Sequence, residues 1–259
     1  MAGTQIAGKS LRYKQLELLV KSKKPRRNVM NLFLNGAFQK IIGILPDPSY
    51  TEATNRAIYA LRDTSHFEWY LVPFLAFVIY VYFTEIERKR WDLVMAGLAF
   101  YGLEWFFEIL SAIFLKVHGT SAIWTAPADS AFIITVGLNI EISMMFAVTG
   151  LIFAKILPKD KKMKILGIPN RWFFAITNSI FCVFIEIVLN RWDALIWEYN
   201  WWNWYNPIFI IIFGYSLYMF FAFWVHDMES MKKRIVVVST MWSIVAVSLI
   251  VFMGILKWI

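Results

Sequence analysis

Ala99-Phe-Tyr-Gly-Leu-Glu-Trp-Phe-Phe-Glu-Ile-Leu-Ser-Ala-Ile-Phe114 is apolar enough to lie in a bilayer, yet it carries two carboxylates near its middle. Glu104 and Glu108 are four residues apart, so a helix points both the same way. Tyr101 and Ser111 extend that stripe at spacings of three. A charged side chain at mid-bilayer costs ~2.5–3.5 kcal/mol on insertion scales, so such residues face a bundle interior or a water-filled cavity. The stretch therefore predicts a membrane helix whose polar face is turned inward. Two more carboxylates, Glu141 and Glu186, fall inside later apolar runs.

Outward from that stretch the chain keeps the same character. Of its 259 residues 59% are hydrophobic, with 23 Phe and 13 Trp, and the mean hydropathy is +0.55. A soluble domain of this size needs neither so many apolar residues nor runs this long. Six runs approach the ~20 residues that span a hydrocarbon core, at roughly 68–85, 92–115, 131–156, 172–190, 207–225 and 235–257. The expected fold is an all-α polytopic membrane bundle of six or seven transmembrane helices over residues 68–259. A basic amino-terminal segment, 1–67, precedes it. Within that segment 28–45 reads as an amphipathic or weakly spanning helix, interrupted by Asn35, Gln39 and Lys40, and 49–66 as polar and helical in part. Met1–Leu11 lacks an apolar core, so no cleavable signal peptide is expected.

The net charge of +8 does not call for nucleic acid. The cations sit in the amino-terminal segment and in short loops between runs, where the positive-inside rule accounts for them. Arg88-Lys89-Arg90, the Lys155–Arg171 loop and Lys232-Lys233-Arg234 read as cytoplasmic. The loops 116–130 and 191–206 read as external, and Trp197, Trp201, Trp202 and Trp204 crowd the second as an aromatic belt does. Seven crossings with the amino terminus inside fit these charges best, and six with an in-plane helix at 28–45 come next. A plasma or inner membrane is the expected location. The single cysteine, Cys182, excludes an intrachain disulfide and a zinc site built from several thiolates.

With that orientation, a rise of 1.5 Å per residue puts Glu108 ~10 Å, Glu104 ~16 Å, Glu141 ~15 Å and Glu186 ~6 Å below the outer surface. Four acids in one half of the membrane are expected to converge on a single pocket as catalytic groups. Asn178, Cys182, Glu186 and Asn190 make one face of their span polar, and Tyr215 and Tyr218 add hydroxyls from the next. Tyr101, Trp105, Asn139, Asn178, Tyr215 and Tyr218 are the candidate substrate-binding residues. Asn139 and Glu141 sit ~200° apart on a regular helix, so that helix is either central or locally irregular.

Desolvation disfavours the anion of a carboxyl in an apolar site. A neutral Glu can then donate a proton while a neighbour at i+4 holds the conjugate base, the pairing that carbocation or isomerisation chemistry needs. Trp and Phe faces stabilise a developing cation. The reading is an intramembrane acid–base enzyme acting on a hydrophobic, isoprenoid-like lipid, with no cofactor and no metal. Its expected partners are membrane lipids and the hydrophobic substrate, with a homo-oligomer or a larger membrane complex left open. Competing readings are a proton- or cation-coupled carrier, a metal-dependent enzyme using the Glu cluster as an oxygen-rich site, and a non-catalytic membrane subunit. His66 and His118 fall at the outer edge, where they are candidates to assist the site, and His226 at the inner edge. No Glu-x-x-His pair, P-loop, Gly-x-Ser-x-Gly or dinucleotide fingerprint appears.

In size and in Glu-bearing spans such as Leu138-Asn-Ile-Glu141, the layout resembles the membrane-integral terpene cyclases. In the Glu104/Glu108 spacing it is similar to the sterol-isomerase-like (EXPERA) family, with Glu where that family has His. The likeness covers the layout of about 92–225 rather than an exact motif. It implies isoprenoid or sterol-like substrates and acidic residues that protonate them.

Overall fold

The computed structural model describes residues 44–64, 68–127 and 129–259. The expected helix at 28–45 (save Ile44 and Leu45), the rest of the amino-terminal segment before it and the placement of His66 lie outside these residues. The architecture is α-helical with two minimal sheets. In chain order the elements are α1 (Glu52–Tyr59), α2 (Leu71–Glu87), α3 (Trp91–His118), β1 (Trp124–Thr125), α4 (Ile140–Lys155), β2 (Lys164–Ile165), β3 (Ile168–Pro169), α5 (Asn170–Arg191), β4 (Ile196–Trp197), α6 (Ile210–Asp227) and α7 (Met231–Ile255). Four of these, α3, α5, α6 and α7, are long and apolar enough to cross a membrane. The other two long helices, α2 and α4, have 17 and 16 residues.

α3 is the hub. It packs against α2, α4, α6 and α7, and it runs for 28 residues without proline until Gly119, at φ 78°, closes its end. Inside lipid there is little hydrophobic drive between helices, so close packing of small residues holds them together. Ala96, Ala99 and Ala112 of α3 are buried accordingly. At Gly150 of α4 a Cβ would stand 2.2 Å from that of Phe100, so only glycine lets these two backbones approach. Polar ties reinforce the bundle from α2: the Tyr82 hydroxyl donates to the Ala147 carbonyl, 2.6 Å, and buried Glu85 pairs with Lys155. Trp242 of α7 donates from Nε1 to the Leu98 carbonyl, 3.0 Å.

The third apolar run is not a helix throughout. α4 begins only at Ile140, where the Asn139 side chain accepts from the Ile142 amide, 2.8 Å, as its N-cap. Residues 131–139 instead fold as a buried, bonded loop. Ile133 receives the Arg62 amide, 2.8 Å, Ile140 donates to Phe132, 2.9 Å, and Ala126 donates to Val136, 2.9 Å. Arg62 also donates from Nε to the Ile134 carbonyl, 3.1 Å, and burial lowers its basicity from the ordinary guanidinium value. Ala131, Ile133, Thr135, Val136 and Leu138 are all buried. Irregular backbone at membrane depth is tolerated where it is buried in protein in this way. The polar stretch before α2 is helical in part, as its sequence suggests, through α1.

At one end of the bundle β1 pairs antiparallel with β4, with Trp124 opposite Trp197. At the other end β2 and β3 form a hairpin across Leu166 and Gly167, both at positive φ. The three basic connections meet at this second end. There Arg171 grips Asp227 with two bonds of 2.8 Å, and His226 stands between Asp227 and Asp92.

Candidate functional site

Glu104 and Glu108 project from the middle of α3 into one cavity of about 40 Å³, and Glu186 of α5 reaches the same cavity. That volume holds roughly three waters. Its walls are aromatic: Trp124, Trp197 and Trp202 from the two loops, Phe146 from α4, Tyr215 and Tyr218 from α6.

The three carboxylates have different surroundings. Glu108 is buried and accepts from Trp124 Nε1 at 2.7 Å and from the Thr135 hydroxyl at 3.4 Å. Glu186 accepts from the Tyr215 hydroxyl at 2.8 Å. Glu104 is 2% exposed, and neither of its oxygens meets a hydrogen-bond partner. A buried anion demands partners, so the uncharged acid suits this position better than the carboxylate. Tyr218 lines the cavity that all three border.

Local folding explains this arrangement. Ser111, on the stripe of Glu104 and Glu108, accepts the Ile123 and Trp124 amides at 3.2 and 3.5 Å and so straps β1 to α3. The β1–β4 pairing then fixes Trp197, and Trp202 stacks on Trp124 with centroids 5.8 Å apart. Gly137 lets the buried loop come close, for a Cβ there would lie 2.8 Å from the Glu108 Oε2. α6 opens as a π-helix over Ile210–Tyr215, a widened turn often found at functional sites, before continuing as α-helix. Tyr215 and Tyr218 then pack edge-on, 5.7 Å apart, with Phe146 against both.

A second opening adjoins the first. A groove of about 280 Å³ runs between α4 and α5, and Met145, Phe146, Glu186 and Tyr215 border both spaces.

The expected convergence of four acids is corrected to three. Glu141 sits in the first turn of α4, where it accepts from the Tyr70 hydroxyl, the Ser130 hydroxyl at 2.5 Å and the Ala131 amide at 3.0 Å. It ties the loop to α2 and does not border the cavity. Of the six candidate binding residues, Tyr215 and Tyr218 line the cavity and four do not. Tyr101 turns to Ser143 of α4, 2.7 Å, and packs edge-on against Trp242. Trp105 packs with the cluster around Ile109 and Ala112, Asn139 caps α4, and Asn178 is buried on α5 with its amide nitrogen unpartnered. His118 bonds to Thr120 and to Tyr199 at the end of α3, away from the carboxylates. Trp124 of β1 and Thr135 of the buried loop, the donors to Glu108, lie outside helices, where helical spacing does not reveal them. Among the described residues no three His, Cys, Asp or Glu side chains are grouped to hold a metal ion.

An uncharacterized membrane protein family matches residues 51–254, from α1 to the last turn of α7. The chain belongs to that family. Among its relatives, an uncharacterized protein of Archaeoglobus fulgidus is 47% identical over 209 residues, covering 81% of this chain and 99% of its own length. A second from the same organism is 38% identical over 53 residues, 20% of this chain and 95% of its own. No solved structure matches the chain. Membership and the apolar helices together make this a membrane protein. None of these matches links it to the terpene cyclases or to the sterol-isomerase-like family.

Proposed function

We propose that the protein is an intramembrane acid–base enzyme that isomerises or cyclises a hydrophobic, isoprenoid-like lipid at Glu104, Glu108 and Glu186. One observation carries the reading. An unpartnered, buried Glu104 and a doubly bonded Glu108 border one aromatic cavity, an acid beside a base. In the step proposed, the Glu104 acid gives its proton to one carbon of a C=C bond. A C–H bond forms from the π pair, the neighbouring carbon becomes a cation, and Glu104 is left as carboxylate. Trp124, Trp202 and Tyr218 offer their faces to that cation. The Glu108 carboxylate then removes a proton from the carbon on the far side, and the released C–H pair becomes the new π bond. Capture of the cation by a second C=C before this loss gives cyclisation instead. Release of the proton from Glu108 to water and reprotonation of Glu104 from water restore the site, so atoms and electrons balance and solvent hydrogen enters the product.

The six long helices support six crossings, with the basic connections on the cytoplasmic side and the Trp-rich loop outside. A seventh would need 28–45. On this reading the carboxylates face the outer half of the membrane, and the protein resides in a plasma or inner membrane, alone or within a larger assembly.

Deuterium uptake tests the chemistry. Membrane isoprenoid lipids are incubated with the reconstituted protein in heavy water and analysed by mass spectrometry. Wild type is expected to place deuterium on carbon, and Glu104→Gln and Glu108→Gln are expected to lose that activity. Uptake that persists in Glu104→Gln, or none with wild type, overturns the assignment.

A further inference from the structure

We infer that the groove between α4 and α5 is a lateral portal in which a linear, unsaturated hydrocarbon chain lies with its reactive end toward Glu186. The inference rests on the acid–base reading for what happens at that end, but not for the binding itself. α4 packs on α3, α2 and α6, and α5 on α6 and its own flanking loops, so a gap remains between α4 and α5. The gap extends from Met145 to Phe153 along α4, ~12 Å at helical rise. A volume of about 280 Å³ drawn out over that length suits one chain rather than a fused ring system.

Its chemistry is that of a tail site. Val148, Ile152, Phe153, Phe181 and Ile185 supply apolar walls. Thr149, which also lines the groove, engages its hydroxyl in a 2.7 Å bond to the Met145 carbonyl. Polar groups appear only on the α5 side and at the floor, as Cys182, Glu186 and Tyr215. Glu186 is only partly buried, its carboxylate is bonded to Tyr215, and it borders the groove as well as the cavity. Beside the groove Ile180, Phe181 and Phe184 are exposed at 49–60%, as residues facing lipid are. A chain entering here never leaves a hydrocarbon environment until its double bond meets the carboxylates. The cavity beyond, too small for a lipid by itself, needs to receive only that reacting end.

A photoreactive probe tests the portal: farnesol carrying a diazirine, irradiated with the full-length protein in phosphatidylcholine nanodiscs. Crosslinks are expected on the peptides containing Met145–Phe153 and Phe181–Glu186, and plain farnesol is expected to compete them away while cholesterol does not. Thr149→Trp and Cys182→Trp should each abolish the competed signal. Ile180→Trp, on the neighbouring lipid face, should keep it, and a thermal scan confirms that each variant is folded. Crosslinks spread over all lipid-facing helices, insensitive to farnesol, overturn the portal. So does a signal retained in both groove-filling variants. Glu104→Gln separates the two readings: it is expected to keep the crosslink while losing deuterium uptake, so either property can fail alone.

Discussion

Glu104 and Glu141 stand at opposite extremes of hydrogen bonding. Glu141 satisfies three donors, whereas Glu104 satisfies none. Replacing each by leucine therefore has opposite consequences. Glu141→Leu leaves the Ala131 amide and two hydroxyls without their acceptor and is expected to cost about 1–3 kcal/mol for each group that stays buried. Glu104→Leu removes an unpartnered polar group from an apolar surround and is expected to leave stability unchanged or raise it. Thermal unfolding in detergent decides. A loss in Glu104→Leu as large as in Glu141→Leu assigns Glu104 to the framework. At this scale the sequence showed the i, i+4 pair on α3 and the inward face that holds it. It misplaced Glu141, because a helical rise was carried through 131–139, which is not helical. The partners of Glu108 were hidden for a related reason: Trp124 comes from a two-residue strand and Thr135 from a loop, too short or too irregular for periodicity to order side chains.

At the scale of elements, hydropathy located the six long helices among the described residues, because each keeps an apolar surface over many turns. It did not separate helix from buried loop in Ala131-Phe-Ile-Ile-Thr-Val-Gly-Leu-Asn139, since burial in protein and burial in lipid select the same residues. Local chemistry held the missing information. Gly137 favours a close approach over a helix, and Asn139 is a capping residue placed directly before Ile140. The π-helical opening of α6 left no mark on the sequence reading, because Ile210–Tyr215 is as apolar as the α-helix that follows. The closeness of the loop to Glu108 comes from the first of these unread elements, and Tyr215 closes the second.

For the whole molecule, charge is the strongest guide. The basic connections lie together at one end and the Trp-rich loop is at the other, so labelling sites at the two ends should behave oppositely. In a Cys182→Ser background, Asn200→Cys is expected to react with a membrane-impermeant thiol reagent in intact cells, and Lys161→Cys only after permeabilisation. Both positions are exposed. The reverse pattern would invert the orientation and move the carboxylates to the cytoplasmic half.

The two shorter helices carry a last consequence. α2 and α4 have 17 and 16 residues, ~26 and ~24 Å of helix, against a hydrocarbon core of ~30 Å. On the six-crossing reading proposed above, the bilayer along the edge that these helices share is wider than the helices, and the mismatch is expected to be relieved by thinning the membrane there. α4 is also one wall of the groove, so on that reading headgroups are expected to dip and acyl tails to shorten beside it. In phosphatidylcholines of graded tail length, thermal stability is expected to peak in thin bilayers, and a maximum in thick ones would contradict this. Membrane thickness would then act as an address, holding the protein where the surrounding lipid already matches its short side.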